Sequence, residues 1–345
     1  MSDGSEPWFP QKGKWIVLYE EGKNDEIKGA SGQSPTHISN TPERDIPIES
    51  LLKNGMINLD KPAGPTSHQV VAWVKDLVDV KRTGHSGTLD PAVSGVLPVA
   101  LGVATKLLKV LLLGGKEYVG VLELKRKVKE EKLREVMKEF TGEVYQIPPL
   151  EAAVKRQLRI RRIYDLDLLQ FDGTSALFRT NVESGTYIRN LCVDIGLRLG
   201  VEGRMAELRR TRSGQFYEKG SVSLQDVKDA MVFYREDGNE RPLRNIILPV
   251  ERMADHLSEI IVGVGAVDAI CHGAPLAKPG VVALDDGIKR GDLIALKSSQ
   301  NELIAVAKAT MGGKEIPNAK RGIVANPVRV VMGANSYPRM WKQKL

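Results

Sequence analysis

Two cysteines in 345 residues, Cys192 and Cys271, are too few for a disulfide framework. Each sits in an apolar or small-residue stretch and is expected as a buried thiol, with a single disulfide left as the alternative. The five histidines, His37, His68, His85, His256 and His272, are scattered, and no metal-ligand spacing occurs, so no metal is expected. No apolar run is long enough to span a bilayer. Residues Met1 to Pro10 are polar and acidic, unlike a signal peptide, and no lysine-rich block marks either end. These absences predict a soluble intracellular chain with no membrane association. No internal repeat is evident.

What is present is a hydrophobic content of 42%, enough for one large core and a smaller second domain. The net charge is +7 and the isoelectric point about 9.2. A basic surface favours phosphate-rich partners, although it also suits proteins that bind none.

Residues 1–45 are polar, and only Trp15-Ile16-Val17-Leu18-Tyr19 reads as a strand. This segment cannot bury a core alone; it is expected as an arm, or as a strand added to another domain. Ile57-Asn58-Leu59 predicts a short strand, stopped by Lys61-Pro62-Ala63-Gly64-Pro65. Thr66 or Ser67 then caps a helix through about Val80, with Val70, Val71, Trp73, Val74, Leu77 and Val78 as its apolar residues. A glycine-rich stretch runs from Thr83 to Gly95. Residues 117–124 predict a strand, and Leu133, Val136, Met137 and Phe140 one helix face. Residues 163–171 and 175–183 predict a hairpin about Asp172-Gly173. Ser184 or Thr186 is expected to cap the next helix, which buries Ile188, Leu191, Cys192, Ile195 and Leu199 and ends at Gly200. Ser223 and Asp226 form a capping-box pattern before Leu224, Val227, Met231 and Tyr234. Beyond Pro249, short apolar strands alternate with glycine turns at Val281 to Leu284, Leu293 to Lys297, Leu303 to Ala309 and Ile323 to Val331. That texture predicts a small β-rich, partly barrel-like domain. The expected division is an arm over 1–45, a central domain over 46–249 and a C-terminal domain over 250–345.

The densest chemistry lies in Gly84-His85-Ser86-Gly87-Thr88-Leu89-Asp90-Pro91. The glycines let the backbone turn tightly against a ligand. Pro91 pushes Asp90 out of helical geometry, leaving its carboxylate on a strand edge or loop where it can face a cleft. No Lys-Ser/Thr pair follows the glycines, as a phosphate-binding loop requires. Thr88 occupies the place where a serine-hydrolase elbow needs glycine. By itself the octet is equally a structural turn with Asp90 as a cap. Ser184-Gly185-Thr186-Tyr187-Ile188-Arg189 lies at a hairpin-to-helix junction. From there Arg189 can reach back to a carboxylate and favour its charged form; the alternative is an ordinary surface arginine. In Lys116-Glu117-Tyr118 the tyrosine is either core or a ring that stacks on a flat substrate. Two arginine-rich stretches, Lys155-Arg156-Gln157-Leu158-Arg159-Ile160-Arg161-Arg162 and the set Arg204, Arg209, Arg210 and Arg212, are either solvated faces or a phosphate-tracking groove.

Taken in order, Asn58-Leu59-Asp60-Lys61-Pro62, the Gly84–Pro91 octet, Lys116-Glu117-Tyr118, Gly185-Thr186-Tyr187-Ile188-Arg189 and Leu208-Arg209-Arg210-Thr211-Arg212-Ser213-Gly214 resemble the pseudouridine synthase family of bacterial tRNA T-loop synthases and dyskerin. The match covers roughly residues 46–250. His272-Gly273-Ala274, Pro279-Gly280 and Gly287-Ile288-Lys289-Arg290-Gly291-Asp292 resemble a PUA domain. The ending Tyr337-Pro338-Arg339-Met340-Trp341 is similar to that of archaeal dyskerin-type proteins. Some positions depart from the family pattern: Glu151-Ala152, Glu202-Gly203-Arg204, and Lys125 to Lys127, which stands where a more acidic turn is usual. They leave the catalytic set intact and bear on RNA contacts and partner surfaces.

The resemblance implies an α+β pseudouridine synthase fold with a central, mainly antiparallel mixed sheet flanked by helices, plus a small β-barrel-like PUA domain. It implies an enzyme of rRNA and tRNA processing and ribosome biogenesis, cytoplasmic if archaeal and nucleolar if eukaryotic. By position, Asp90 is its catalytic carboxylate, Tyr118 stacks on the target base and Arg189 partners the aspartate. Tyr187, Leu208 and Lys61 belong to the substrate pocket, and His85 helps to open the RNA. RNA contacts fall to Lys155, Arg156, Arg209 and Arg210, and in the C-terminal domain to His272, Gly273, Lys289, Arg290 and Gly291. The reaction is redox-neutral, so no cofactor is implied. A dyskerin-type chain further implies an H/ACA ribonucleoprotein in which a guide RNA selects the uridine, as base pairing does in other guided systems. Its small protein partners would be zinc-ribbon-like, glycine-arginine-rich and kink-turn-binding in type. Two alternatives remain: a stand-alone tRNA T-loop synthase, and a non-catalytic RNA-binding scaffold.

Overall fold

The structure, a computed structural model, describes residues 12–19, 26–31, 46–112, 114–149 and 155–340. His37, Glu151, Ala152, Trp341 and the polar run Met1 to Pro10 lie outside the described residues.

In chain order the elements begin with strands β1 (Trp15–Tyr19) and β2 (Glu26–Ser31), helix α1 (Ile48–Asn54), β3 (Met56–Lys61), α2 (Ser67–Val78), β4 (Thr83–His85) and β5 (Ser94–Leu101). Next come α3 (Leu108–Leu112), β6 (Lys116–Leu124), α4 (Glu130–Glu139), β7 (Gly142–Gln146), β8 (Arg159–Phe171), β9 (Ser175–Val182) and α5 (Ile188–Arg198). They are followed by β10 (Gly203–Ser213), β11 (Phe216–Tyr217), α6 (Leu224–Asp237), α7 (Arg241–Ile246) and β12 (Ile247–Leu248). The last run is β13 (Ser258–Val262), α8 (Val264–Cys271), β14 (Leu276–Ala277), β15 (Val281–Asp285), β16 (Leu293–Ser298), β17 (Leu303–Ala309) and β18 (Ile323–Val330).

One compact unit comprises Met56–Leu101 and Leu108–Ile247. Its sheet runs β12-β3-β5-β10-β6-β9-β8-β7, with β4 paired to β5 and β11 to β10. β5 and β10 are parallel, whereas β3–β5, β6–β10, β6–β9, β8–β9 and β7–β8 are antiparallel. The mainly antiparallel mixed sheet expected from the resemblance is therefore present. Along β6 every second residue is buried, as a strand with one covered face requires. That face carries Tyr118 and Leu122 into an apolar cluster with Leu133 and Val136 of α4, Phe178 of β9, Ile188 and Leu191 of α5 and Leu208 of β10.

Local sequence explains much of the helical boundary pattern. Thr66 Oγ1 accepts from the Gln69 amide at 3.1 Å, and Gln69 Oε1 accepts from the Thr66 amide at 2.8 Å, a reciprocal cap that starts α2. Ser223 and Asp226 do the same for α6. The helix ends at Val78, two residues before the expected stop, and Trp73 is 46% exposed rather than part of the buried face. At α5 the expected caps are not used. The helix begins at Ile188 with Tyr187 as N-cap and no side-chain cap, and the Thr186 hydroxyl turns back to donate to the Glu183 carbonyl at 2.7 Å.

The second unit takes Leu248–Leu345 together with the chain up to Gly55 and Gly102–Leu107. Its eight-stranded sheet runs β14-β18-β17-β16-β13-β15-β1-β2. The arm strand β1 pairs antiparallel with β15, Trp15 opposite Asp285 and Val17 opposite Ala283, and Leu18 enters the core beside Ile260, Leu284 and Leu296. Packing thus assigns α1, with Ile48 and Leu51 buried, and residues 102–107 to this unit, although in sequence they fall inside the central stretch. Cys192 and Cys271 are free thiols. No helix among the described residues is long and apolar enough to cross a membrane.

Candidate active site

Asp90 stands in the loop between β4 and β5, its side chain half exposed, while the backbone around it is pinned by buried groups. Ser67 Oγ, fully buried at the start of α2, accepts from the Leu89 amide at 2.8 Å and donates to the Leu89 carbonyl at 2.9 Å. The Lys61 ammonium, 0% exposed, donates to the carbonyls of Pro62 at 2.8 Å, Pro91 at 3.2 Å and Val93 at 2.8 Å. Arg210, 1% exposed, donates to the Val96 carbonyl at 2.8 Å and the Gly87 carbonyl at 3.2 Å. Gly95 closes the loop at φ +105°, and a Cβ there would fall 2.2 Å from the Arg210 carbonyl oxygen, so no other residue fits.

Arg189 is the second residue of α5, and its guanidinium donates to the Asp90 carboxylate. The start of that helix is set by Gln146 at the end of β7. Its buried amide accepts from the Tyr187 N–H at 2.9 Å and donates to the Tyr187 carbonyl at 3.0 Å. Asn190 adds a bond to the Ile147 carbonyl at 2.9 Å. Leu89 and Ile188, the neighbours of Asp90 and Arg189, pack into the same apolar cluster as Tyr118 and Leu208. The Asp90–Arg189 pair, a carboxylate with its guanidinium partner, is thus flanked in sequence by residues of the cluster that holds the Tyr118 ring and the Leu208 side chain.

The cations around this loop are unusual for their burial. Burial holds the Lys61 ammonium below its ordinary range, an effect partly offset by the Asp90 charge. Burial, with Arg210 and Arg212 nearby, pushes Lys116 down to about 7. Arg210 is likewise pushed down by burial, against the opposing effect of Tyr118, with which it shares a hydrogen bond. His85 is pushed down to about 4 by burial, the edge-on His68 ring at 5.2 Å and Arg210. It is therefore neutral near pH 7.

These positions correct several expectations. Arg210 is not an RNA contact: β10 turns it inward, where it braces the Gly87 loop. Arg209 is held by both oxygens of Asp60, at 3.1 and 2.8 Å, and by Glu218, so its charge is already matched. Arg212 is 2% exposed, bonded to Asn181 and lying over Tyr217, and Arg204 pairs with Glu123. The second arginine-rich stretch is thus a structural strand rather than a phosphate groove. Lys61 is a fastener of the Asp90 loop rather than a pocket wall. Lys155 and Arg156 are exposed, as are Gly273, Lys289, Arg290 and Gly291. His272 is tied by Nδ1 to the Asp268 carbonyl at 2.8 Å. Gln146 and Asn190 were not found from sequence, because neither has a local signal; Ser67 was read only as a possible cap.

An exposed carboxylate oriented by a guanidinium at the edge of an apolar wall can act as a nucleophile or a base toward a flat heterocycle. No group of three or more metal-ligating side chains occurs among the described residues.

The chain is similar in sequence and in fold to known proteins. Residues 75–188 match the family described as TruB family pseudouridylate synthase, N terminal domain, and residues 189–255 the tRNA pseudouridylate synthase B C-terminal domain. Residues 258–331 match the PUA domain and residues 24–71 the DKCLD (NUC011) domain. The chain is 48% identical to a "Probable tRNA pseudouridine synthase B" of Methanosarcina barkeri, over 92% of this chain and 93% of that protein. It is 51% identical to the protein of the same name from Methanocaldococcus jannaschii, over 86% and 88%. Among solved structures it is similar to a chain of an H/ACA RNP bound to a substrate RNA containing 2'-deoxyuridine, with TM-score 0.86 and 42% identity over 98% of this chain and 100% of that one. It is also similar to a chain of a Cbf5-Nop10-Gar1 complex, with TM-score 0.85 and 45% identity over 96% and 98%.

Proposed function

The chain belongs to the TruB family of pseudouridylate synthases, and from that premise we propose that it is the catalytic subunit of an H/ACA guide ribonucleoprotein that converts uridine to pseudouridine in ribosomal RNA and tRNA. The observation that carries this reading is the Asp90–Arg189 ion pair, standing beside the Tyr118 and Leu208 cluster. Similarity to chains solved with a substrate RNA and in a Cbf5-Nop10-Gar1 complex supports the choice of assembly. The partners are then a guide RNA and small proteins of the Nop10 and Gar1 types, in the cytoplasm. Residues 250–345 serve as the guide-binding PUA domain, residues 46–249 as the synthase domain, and the arm over 1–45 completes the former.

The reaction breaks the bond between sugar and uracil nitrogen, turns the base and rejoins it through carbon, with no net oxidation. Asp90 acts at the sugar or the base. Arg189 aims the carboxylate, Tyr118 and Leu208 wall the detached uracil, and Tyr187 lines the same pocket. His85, being neutral, approaches the RNA without adding charge. The uridine leaves its stack at a cost of a few kcal/mol. Stacking on a ring returns about 1–3 kcal/mol, and phosphate contacts supply the remainder, so binding weakens steeply with salt.

Asp90→Asn tests this directly. Pseudouridine yield falls by about 10³-fold or more while RNA affinity is largely kept; an unchanged yield would refute the catalytic assignment. A second reading, a stand-alone tRNA enzyme, is favoured by the names of the archaeal relatives. Purified chain given bare tRNA, and separately guide, target and partners, separates the two. Full activity on tRNA, with no stimulation by the guide set on a guided target, would favour the stand-alone enzyme.

A further inference from the structure

The turn between β6 and α4 carries a charge pattern that the site described above does not use. Lys125, Arg126, Lys127 and Lys129 lie within five residues, and Lys132 follows in the first turn of α4. Arg126, Lys127, Lys129 and Lys132 line an open basin of about 530 Å³ together with Leu199 and Val201. We propose that this basin is a docking site for the phosphate backbone of RNA, separate from the Asp90 site. The inference rests on the reading of this chain as an RNA enzyme for the choice of polyanion.

The turn is held firmly. The Val128 amide donates to the Gly173 carbonyl at 2.9 Å, and the Lys125 amide to the Glu202 carbonyl at 2.9 Å. Arg126 Nη2 donates to the Gly200 carbonyl at 2.9 Å, and the Lys127 stem passes 3.8 Å from where a Cβ would stand on Gly173. Three turns are thus joined at one end of the sheet, and the cations are presented with much of their ordering cost already met.

Lys125 is paired with Glu202 at 2.7 Å, whereas the cations that line the basin are poorly matched. Lys127 and Lys129 have no carboxylate partner among the described residues. Lys132 meets Glu135 only at 3.3 Å, with both side chains more than half exposed. Glu130 at the start of α4 is engaged by Arg134 at 2.7 Å, and Glu131 does not line the basin. Lys127 and Lys129, like charges without carboxylate partners among the described residues, keep an ion atmosphere, and a polyanion that displaces it gains the free energy of counterion release. Leu199 and Val201 add apolar surface to the lining. Along β6, Leu124 lies six residues from Tyr118, about 20 Å at strand spacing. An RNA touching both places therefore runs along the sheet, which gives the target strand a second point of register.

The test is the triple variant Lys127→Gln, Lys129→Gln, Lys132→Gln in the full chain, with an Asp90→Asn partner so that binding is read without turnover. The probe is an RNA hairpin, with inorganic phosphate as a competitor. The slope of log affinity against log salt is expected to fall by about 2–3, while pseudouridine yield at saturating RNA stays at the parent value with Asp90 present. The corresponding Lys→Arg triple keeps the parent slope. An unchanged slope overturns the proposal, as does loss of a protein partner with RNA binding intact. Inorganic phosphate competing as strongly as the hairpin reduces the basin to a free-anion site and overturns it too. Failure of the catalytic reading appears separately, as undiminished yield in Asp90→Asn.

Discussion

Lys116 shows how one residue near the site links burial to pH. Its ammonium, 3% exposed, donates to the Gly114 carbonyl at 2.7 Å, and burial with Arg210 and Arg212 lowers it to about 7 from 10.5. Between those values the unfolded chain holds a proton that the folded chain has released, so stability rises with pH across that window. Below about 7 the folded chain bears the charge at full cost. Lys116→Met removes the titration. Its stability relative to the parent is expected to be most favourable near pH ~6 and to shrink by pH ~9. Denaturant unfolding at the two pH values checks this, and equal differences would contradict it. His85 contributes with the same sign at lower pH: its folded value of about 4 lies below the ordinary 6.5, so stability is lost as pH falls through that interval. The residues of the Asp90 loop behave in the same spirit: Lys61, Ser67 and Arg210 all spend buried donors on backbone carbonyls near Asp90.

At the scale of elements, helix starts divide into those set locally and those set from afar. The caps of α2 and α6 are written within four residues, Thr66 with Gln69 and Ser223 with Asp226, and were legible for that reason. The start of α5, which aims Arg189, depends on Gln146, 41 residues upstream of Tyr187. Gln146→Leu leaves the Tyr187 N–H and carbonyl without that partner, a loss of about 1–3 kcal/mol per unsatisfied group. The expected result is a lower melting temperature and a roughly tenfold drop in kcat with KM little changed, because the aim of Arg189 loosens while RNA contacts persist. A variant with reduced stability but parental kcat would show that Gln146 holds the helix without positioning Arg189. The hairpin β8–β9 was readable from alternation and its Asp172-Gly173 turn. Which face of β10 is covered was not: alternation along Arg209, Arg210, Thr211 and Arg212 gives no hydrophobic cue, and the sheet buries Arg210 and Arg212.

At the scale of the whole molecule, the arm strand β1 is an outlying piece of sequence built into the C-terminal unit. Gly13 and Lys14 amides donate to Asp285 and Asp286 at 2.6 and 2.7 Å, Lys12 pairs with Glu259, and Leu18 is buried. Deleting residues 1–31 exposes the edge of β15 and removes Leu18, worth about 2 kcal/mol of apolar burial. Calorimetry is expected to show an earlier transition for this unit, with the unit holding Asp90 unaffected; an unaltered profile would mean that β1 adds no stability. The sequence by itself determined what neighbours in the chain can decide: capping boxes, turns, strand alternation, and the ordered motifs that identify the family. The same reading foresaw that Arg189 could meet Asp90. Only the tertiary structure decided which basic residues face water and which brace the core, because burial depends on what covers a face, and that cover arrives from distant segments. Lys61, placed in the substrate pocket by the resemblance, and Arg210, placed among the RNA contacts, become fasteners once β5 and β10 lie side by side. Lys127, part of a stretch that departs from the family pattern, and Lys129 come to line one basin without carboxylate partners among the described residues once three separate turns meet.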